Sequence, residues 1–309
     1  MTAGGERAPD SRQSLVRRAL ISRHELRLRA FWRLAIHTVM AVLAVSALGV
    51  VGVILAVGFG LRAAAPWAQP YAAVWVAAGV TVATWAARRL VDRRSFVSLG
   101  LAGRAVAWRD LAVGLLLGAA MVGVLFLVLA ALGMVTAIAW AGATTPMEEL
   151  VPAVLGEVVL FCLVGYYEEL ISRGYHFVNL ADGLSQGWAV VLTSASFGIL
   201  HLANPGAGPA SLVGIVVAGL VFAYARLRTG LLWMPIGVHI GWNLALGLLG
   251  FPVSGIDVPA LLSPRVTGPT WATGGAFGPE ASVLAPLVLG LGALTIHAYT
   301  RNRSRLERV

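Results

Sequence analysis

The chain has 309 residues, 58% of them hydrophobic and 12% charged, about half the charged share of an average soluble domain. Its 23 basic residues, all arginine, outnumber 14 acidic ones for a net charge of +9. They stand in tails and short segments beside apolar runs, where they orient helices against anionic lipid, so no nucleic-acid partner is expected. The single cysteine, Cys162, excludes an internal disulfide and a cysteine-ligated metal site; inside an apolar run it reads as a packing residue.

Residues 1–33 are polar, carry eight arginines and read as a cytoplasmic tail. The apolar run 34–61 is too long for a signal-peptide core and no convincing cleavage site follows it, so it reads as a retained span. About 20 apolar residues cross the hydrocarbon as a helix that satisfies its own backbone. Further spans are expected at 71–87, 111–133, 152–180, 187–203, 210–225, 230–249 and 281–299. The fold class is therefore all-α: a polytopic membrane helix bundle of about eight transmembrane helices in the cell membrane. With both termini cytoplasmic, only Arg62 and Arg265 fall in segments assigned outside, as the positive-inside rule requires.

Four regions follow: the tail 1–33, N-terminal transmembrane helices over 34–144, a core of spans over 145–250, and 251–309, which holds an outer loop, the last span and a tail. The loop, about 250–280, is rich in Pro and Gly. Its end, Gly274 to Glu280, reads as a turn and a helix start with Pro279 and Glu280 in the first turn, in preference to a substrate gate. Neither a 20–50-residue repeat nor inverted hydropathy symmetry is seen, which argues against a transporter.

Ionisable groups within spans are costly, about 2.5–3.5 kcal/mol each on insertion scales, and so mark function. Tyr166-Tyr167-Glu168-Glu169-Leu170-Ile171-Ser172-Arg173 is the main cluster. Glu169 and Arg173 are helical i, i+4 neighbours and can pair; Glu168 projects about 100° away. Phe197 and His201 share one helix face, as do His239 and Asn243. At a helical rise, Glu168, His201, His239 and Asn243 all fall roughly 14–21 Å above their cytoplasmic helix ends, provided the fourth span continues past Arg173. A convergent polar pocket in the membrane is expected, facing the cytoplasm.

The patterns Glu168-Glu169-x-x-x-Arg173, Phe197-x-x-x-His201 and His239-x-x-x-Asn243, in order on separate spans, resemble the CPBP family. This family includes type II CAAX prenyl endopeptidases and bacterial Abi or bacteriocin-processing relatives. The resemblance covers about residues 150–250 and implies an intramembrane endopeptidase. Glu168 would be the general base that activates water, His201 would share that water, and His239 and Asn243 would stabilise the oxyanion. Glu169, Arg173 and Phe197 would support the site. The expected partners are a peptide or protein C-terminus, with or without a lipid modification, and membrane lipids.

No cofactor is expected. The alternative is a zinc ion (Zn2+) on Glu168, His201 and His239, but the H-E-x-x-H spacing is missing; His24-Glu25 lacks a second His. A non-catalytic scaffold or bacteriocin-immunity protein on the same fold is the rival reading, and it has no need of all four polar residues. Gly183-Leu184-Ser185-Gln186-Gly187 fits G-x-S-x-G but lacks the strand-turn-helix setting of a nucleophile elbow. Glu157 has no assigned role, and His37, His176 and His297 have no evident partners.

Overall fold

The computed structural model describes residues 19–21, 27–61, 67–103 and 105–302. Most of the tail 1–33, Arg62, and the last residues of the chain lie outside them. Nine helices of seven or more residues occur among the described residues: α1 (Ala30–Gly58), α2 (Ala68–Ala86), α3 (Ala105–Ala131), α4 (Met147–Glu169), α5 (Phe177–Gly183), α6 (Gln186–Leu200), α7 (Pro209–Thr229), α8 (Trp233–Leu248) and α9 (Leu284–Thr300). A π-helical segment, Leu170–His176, joins α4 to α5 without a break, so the fourth apolar run does continue past Arg173.

Each of the eight expected runs is helical, and six of the resulting segments are long and apolar enough to cross a membrane. The other two, α8 and α9, have 16 and 17 residues. A helix of that length rises about 25 Å, short of a hydrocarbon core of about 30 Å. For α8 the reason lies in its surroundings. All but a few of its side chains are buried against protein, so lipid thickness does not govern its length.

The bundle is mostly helical, as expected, and carries one two-stranded ribbon besides. Val135–Trp140 (β1) pairs antiparallel with Leu262–Val266 (β2), from Val135 opposite Val266 to Trp140 opposite Leu262, with an irregularity between Thr136 and Ala139. The strands lie beyond the ends of the helices, where water can serve the edges that hydrocarbon cannot.

Glycines set the closest helix pair. A Cβ on Gly114 or Gly118 of α3 would fall 2.5 or 2.3 Å from the carbonyl oxygens of Met234 and Val238. A Cβ on Gly237 or Gly241 of α8 would meet the carbonyls of Leu111 and Leu115 at 2.3 and 2.0 Å. These reciprocal small-xxx-small stripes let two backbones touch where apolar burial gives no drive between helices in lipid. Two residues beyond each α8 glycine, about 200° around the helix, stand His239 and Asn243. The seam therefore turns both polar groups away from α3.

One end of the bundle collects the arginines. Arg88 donates to Asp92 at 2.7 Å, Tyr175 Oη to Asp92 at 3.2 Å, and Arg228 to Thr300 at 2.8 Å. His37 and His176, expected to lack partners, lie there 3.3 Å apart, and His37 reaches Thr84 Oγ1 at 3.0 Å while stacking on Tyr175. His297 meets Tyr224 Oη at 2.9 Å. Such pairings across sequence are invisible to spacing rules. The outer loop covers the opposite end, tied by Asn204 Nδ2 to the Ser254 carbonyl at 2.9 Å and by Leu261 N to the Leu248 carbonyl at 3.0 Å. Cys162 is exposed on α4, not packed. Glu157 is buried beside Gly247 and Val258, and neither of its carboxyl oxygens has a hydrogen-bond partner within the protein.

Candidate active site

Four helices and a loop meet at one cavity of about 630 Å³, within the usual size of small-molecule and substrate pockets. The last turn of α4 brings Tyr167 and Glu168, α6 brings Phe197, the 3-10 turn after it brings His201, and α8 brings His239 and Asn243; α2 and the loop Val253–Val258 complete the walls. All four residues singled out from the sequence for chemistry thus line a single space.

Behind Glu168 is a buried charge relay of a structural kind. Glu169 Oε1 accepts from Arg173 at 3.0 Å and from His239 Nδ1 at 3.1 Å. Arg173 is wholly buried; it also donates to the Gly219 carbonyl at 2.9 Å and sits over the rings of Phe197 and Phe222, 4.5 and 5.3 Å from their centroids. A charge with that many partners is fixed in place, and the cost of desolvating it is offset only while they remain. The π segment begins directly after Glu169. The wider turn keeps the Glu169–Arg173 pair on the inner face, and such turns recur at functional sites.

Two imidazoles are oriented by acceptors. A carboxylate and a carbonyl can only accept, so His239 carries a proton on Nδ1 toward Glu169, and His201 carries one on Nδ1 toward the Phe197 carbonyl at 2.7 Å. Nε2 of His239 then faces Glu168 Oε2 at 3.8 Å. His239 stacks on Phe222 at 5.0 Å between centroids, and Phe197 meets its edge at 5.9 Å. The resemblance puts His201 on the water that Glu168 activates; the imidazole within 4 Å of Glu168 itself is that of His239. Helix order along the chain does not reveal which of two neighbouring helices presents the nearer ring.

The donor set can be tested against zinc. Among the described residues no three His, Cys, Asp or Glu side chains converge closely enough to hold one ion, so the triad Glu168, His201 and His239 does not fit a metal in this arrangement.

Other residues of the site went unread in the sequence. Glu280 stands with Pro279 in the first turn of a helix, as expected, but that helix is a short 3-10 turn, Pro279–Ala281, and the side chain is buried. Its carboxylate accepts from Trp242 Nε1 at 3.2 Å, from Ser254 Oγ at 3.1 Å and from Ser254 N. It thereby clamps the cavity wall at Ser254 to the residue next to Asn243. Burial pushes its pKa up, against the opposing effects of the Ser254 backbone donor, the His201 imidazole, and the Ser254 and Trp242 side chains. The signal was an acidic residue, one of two with Asp257, in a Gly- and Pro-rich loop. The pocket is lined at this loop end by Gln69, Asn204, Ser254 and Ile256, and none of its lining residues belongs to the arginine-rich end. Depth estimates alone gave no information on which way it opens.

Residues 150–245 match the family model described as Rce1-like, type II CAAX prenyl endopeptidase Rce1-like. Comparison with curated proteins and with solved structures found no match.

Proposed function

We propose that this chain, which belongs through residues 150–245 to the CPBP family of type II CAAX prenyl endopeptidase-like proteins, hydrolyses internal peptide bonds within the cell membrane. The observation that carries the reading is the convergence of Glu168, His201, His239 and Asn243 on one cavity, with the buried Glu169–Arg173 pair behind them.

The catalytic cycle uses this chain's own groups. Glu168 takes a proton from a water positioned with the help of His201, and the resulting hydroxide attacks the scissile carbonyl carbon. The carbonyl π electrons pass to oxygen, and the tetrahedral oxyanion is met by the Asn243 amide N–H and by His239 in its doubly protonated form, its other N–H held by Glu169. The C–N bond then breaks, and the proton on Glu168 passes to the leaving amine. A carboxylic acid and an amine result, with Glu168 restored. Glu169 and Arg173 hold the geometry from behind the cavity, and Phe197 packs on Arg173 and His239 while lining it.

The test compares purified wild-type protein with Glu168→Gln in liposomes on a set of membrane-anchored peptides. The variant keeps the shape and loses the base, so cleavage should fall about 10²–10⁴-fold while peptide binding persists. Undiminished cleavage by the variant ends the proposal. Activity should also survive chelation; loss on chelation with recovery on zinc addition would replace this mechanism with a metal-dependent one.

A further inference from the structure

We infer that the cavity is entered from the extracytoplasmic side and acts on membrane-proximal, apolar segments of exported or membrane-anchored proteins there. This rests on the protease reading above for the reaction, and on independent observations for the side.

The two ends of the bundle differ in charge. Arg33 and Arg88 surround Asp92 at the start of α1 and the end of α2, with Arg33 3.6 Å and Arg88 2.7 Å from it. Asn179 near the end of α5 reaches the same Asp92 at 3.3 Å. Arg226 reaches the Leu99 carbonyl at 3.3 Å, and Arg109 reaches Tyr299 at 3.1 Å. These contacts put the start of α1, the end of α2, the start of α3 and the ends of α5, α7 and α9 at one end. At the other end, Arg265 in β2 is the one arginine among the described residues. Segments rich in arginine stay in the cytoplasm and face its anionic leaflet, so the loop end is extracytoplasmic.

The cavity reaches the loop end and is closed toward the arginines. Gln69 is the second residue of α2, Asn204 follows the end of α6, and Ser254 and Ile256 belong to the loop. Its deepest lining on α4 and the π segment, Glu168 to Ser172, still leaves roughly 16 Å of helix to Gly183 at the far end. That interval is filled by the cluster of Leu170, Tyr175, Leu232 and Ile236 with Ala87 and Leu99, and beneath it by the Arg88–Asp92–Tyr175 network. A cytoplasmic peptide would have to unpack both to reach Glu168.

Lining chemistry narrows the occupant. The walls are mostly apolar, from Ala72 and Val76 of α2 to Leu160 and Val164 of α4, and among the described residues no arginine lines the space. A site built for a free C-terminal carboxylate would place a guanidinium fork there. An extended apolar segment cut at an internal bond suits these walls instead.

Two measurements separate the side from the chemistry. In a Cys162→Ser background, Ile256→Cys and Asp257→Cys should react with a membrane-impermeant maleimide in sealed cells, while Ser95→Cys, at the arginine end, should react only after permeabilisation. The reverse pattern overturns the inference whatever the activity. Next, a quenched fluorescent apolar peptide, tethered to a lipid anchor, is presented on one face or the other of oriented proteoliposomes. Cleavage confined to the extracytoplasmic face, and lost in Glu168→Gln, supports the inference; cleavage confined to the cytoplasmic face overturns it. If neither peptide is cut while Ile256→Cys is labelled from outside, the substrate assignment falls together with the protease reading, and the sidedness of the cavity stands.

Discussion

Glu169 holds His239 by a 3.1 Å hydrogen bond between Oε1 and Nδ1, across 70 positions of sequence. The same oxygen receives Arg173, so ring orientation and ion pairing depend on one buried atom. Arg173→Ala should leave that buried carboxylate without its guanidinium partner and destabilise the protein by about 3–5 kcal/mol, seen as less monodisperse protein after extraction and a lower unfolding temperature. Arg173→Lys, which keeps charge but loses the fork to Gly219, should fall between. Normal yield and full activity of Arg173→Ala would remove the bracing role.

Asn243 offers an amide to the cavity without a charge. Asn243→Ala should lower kcat about 10²–10³-fold, the usual effect of removing one oxyanion donor, with KM little altered. Steady-state kinetics on one anchored peptide decides it. A raised KM with unchanged kcat would make Asn243 a substrate-binding residue instead.

Glu280 clamps Ser254 to Trp242 from outside the chemistry. Glu280→Gln keeps the volume but turns an N–H toward groups that are themselves donors, freeing the wall at Ser254. The expected result is a KM raised several-fold, kcat nearly preserved and faster proteolytic nicking of the 250–260 loop. An equal drop in kcat and kcat/KM would place Glu280 in transition-state stabilisation.

The glycine seam sets the rotation of α8. A Cβ at Gly241 would stand 2.0 Å from the Leu115 carbonyl, so Gly241→Val must push α8 off α3 and turn His239 and Asn243 out of register. Overpacking of this kind costs about 1–3 kcal/mol or more, and activity should fall further than stability does. Gly123→Ala, also on α3 but with nothing near its Cβ, should be neutral or slightly stabilising. Full activity in Gly241→Val would show that the seam does not position the site.

Much of the site was legible because membrane insertion makes polar residues conspicuous. Glu168, Glu169, Arg173, His201, His239 and Asn243 stand out against apolar runs, and helical spacing alone pairs Glu169 with Arg173. The unread part falls into three kinds. Gly114-x-x-x-Gly118 and Gly237-x-x-x-Gly241 were present as spacing, but which two stripes face one another is a property of the packed bundle. Glu280 lies in a loop whose path no periodicity describes. His37 and His176 meet only because α1 and the π segment pack together, and β1 and β2 pair across more than a hundred intervening residues.

Residues 150–245 contain every group assigned to bond breaking, yet Gln69, Ala72, Ala73 and Val76 of α2 and the loop from Val253 to Val258 also enclose the cavity. The polar groups proposed for chemistry thus lie in one stretch of the chain, whereas the walls around them are shared among that stretch, α2 and the final loop. Mutations in one stretch can redirect which peptide is accepted without touching how it is cut. Two proteins with matching polar cores can then serve unrelated substrates, and a preference measured for one is a poor guide to the other unless their second helix and final loop also agree.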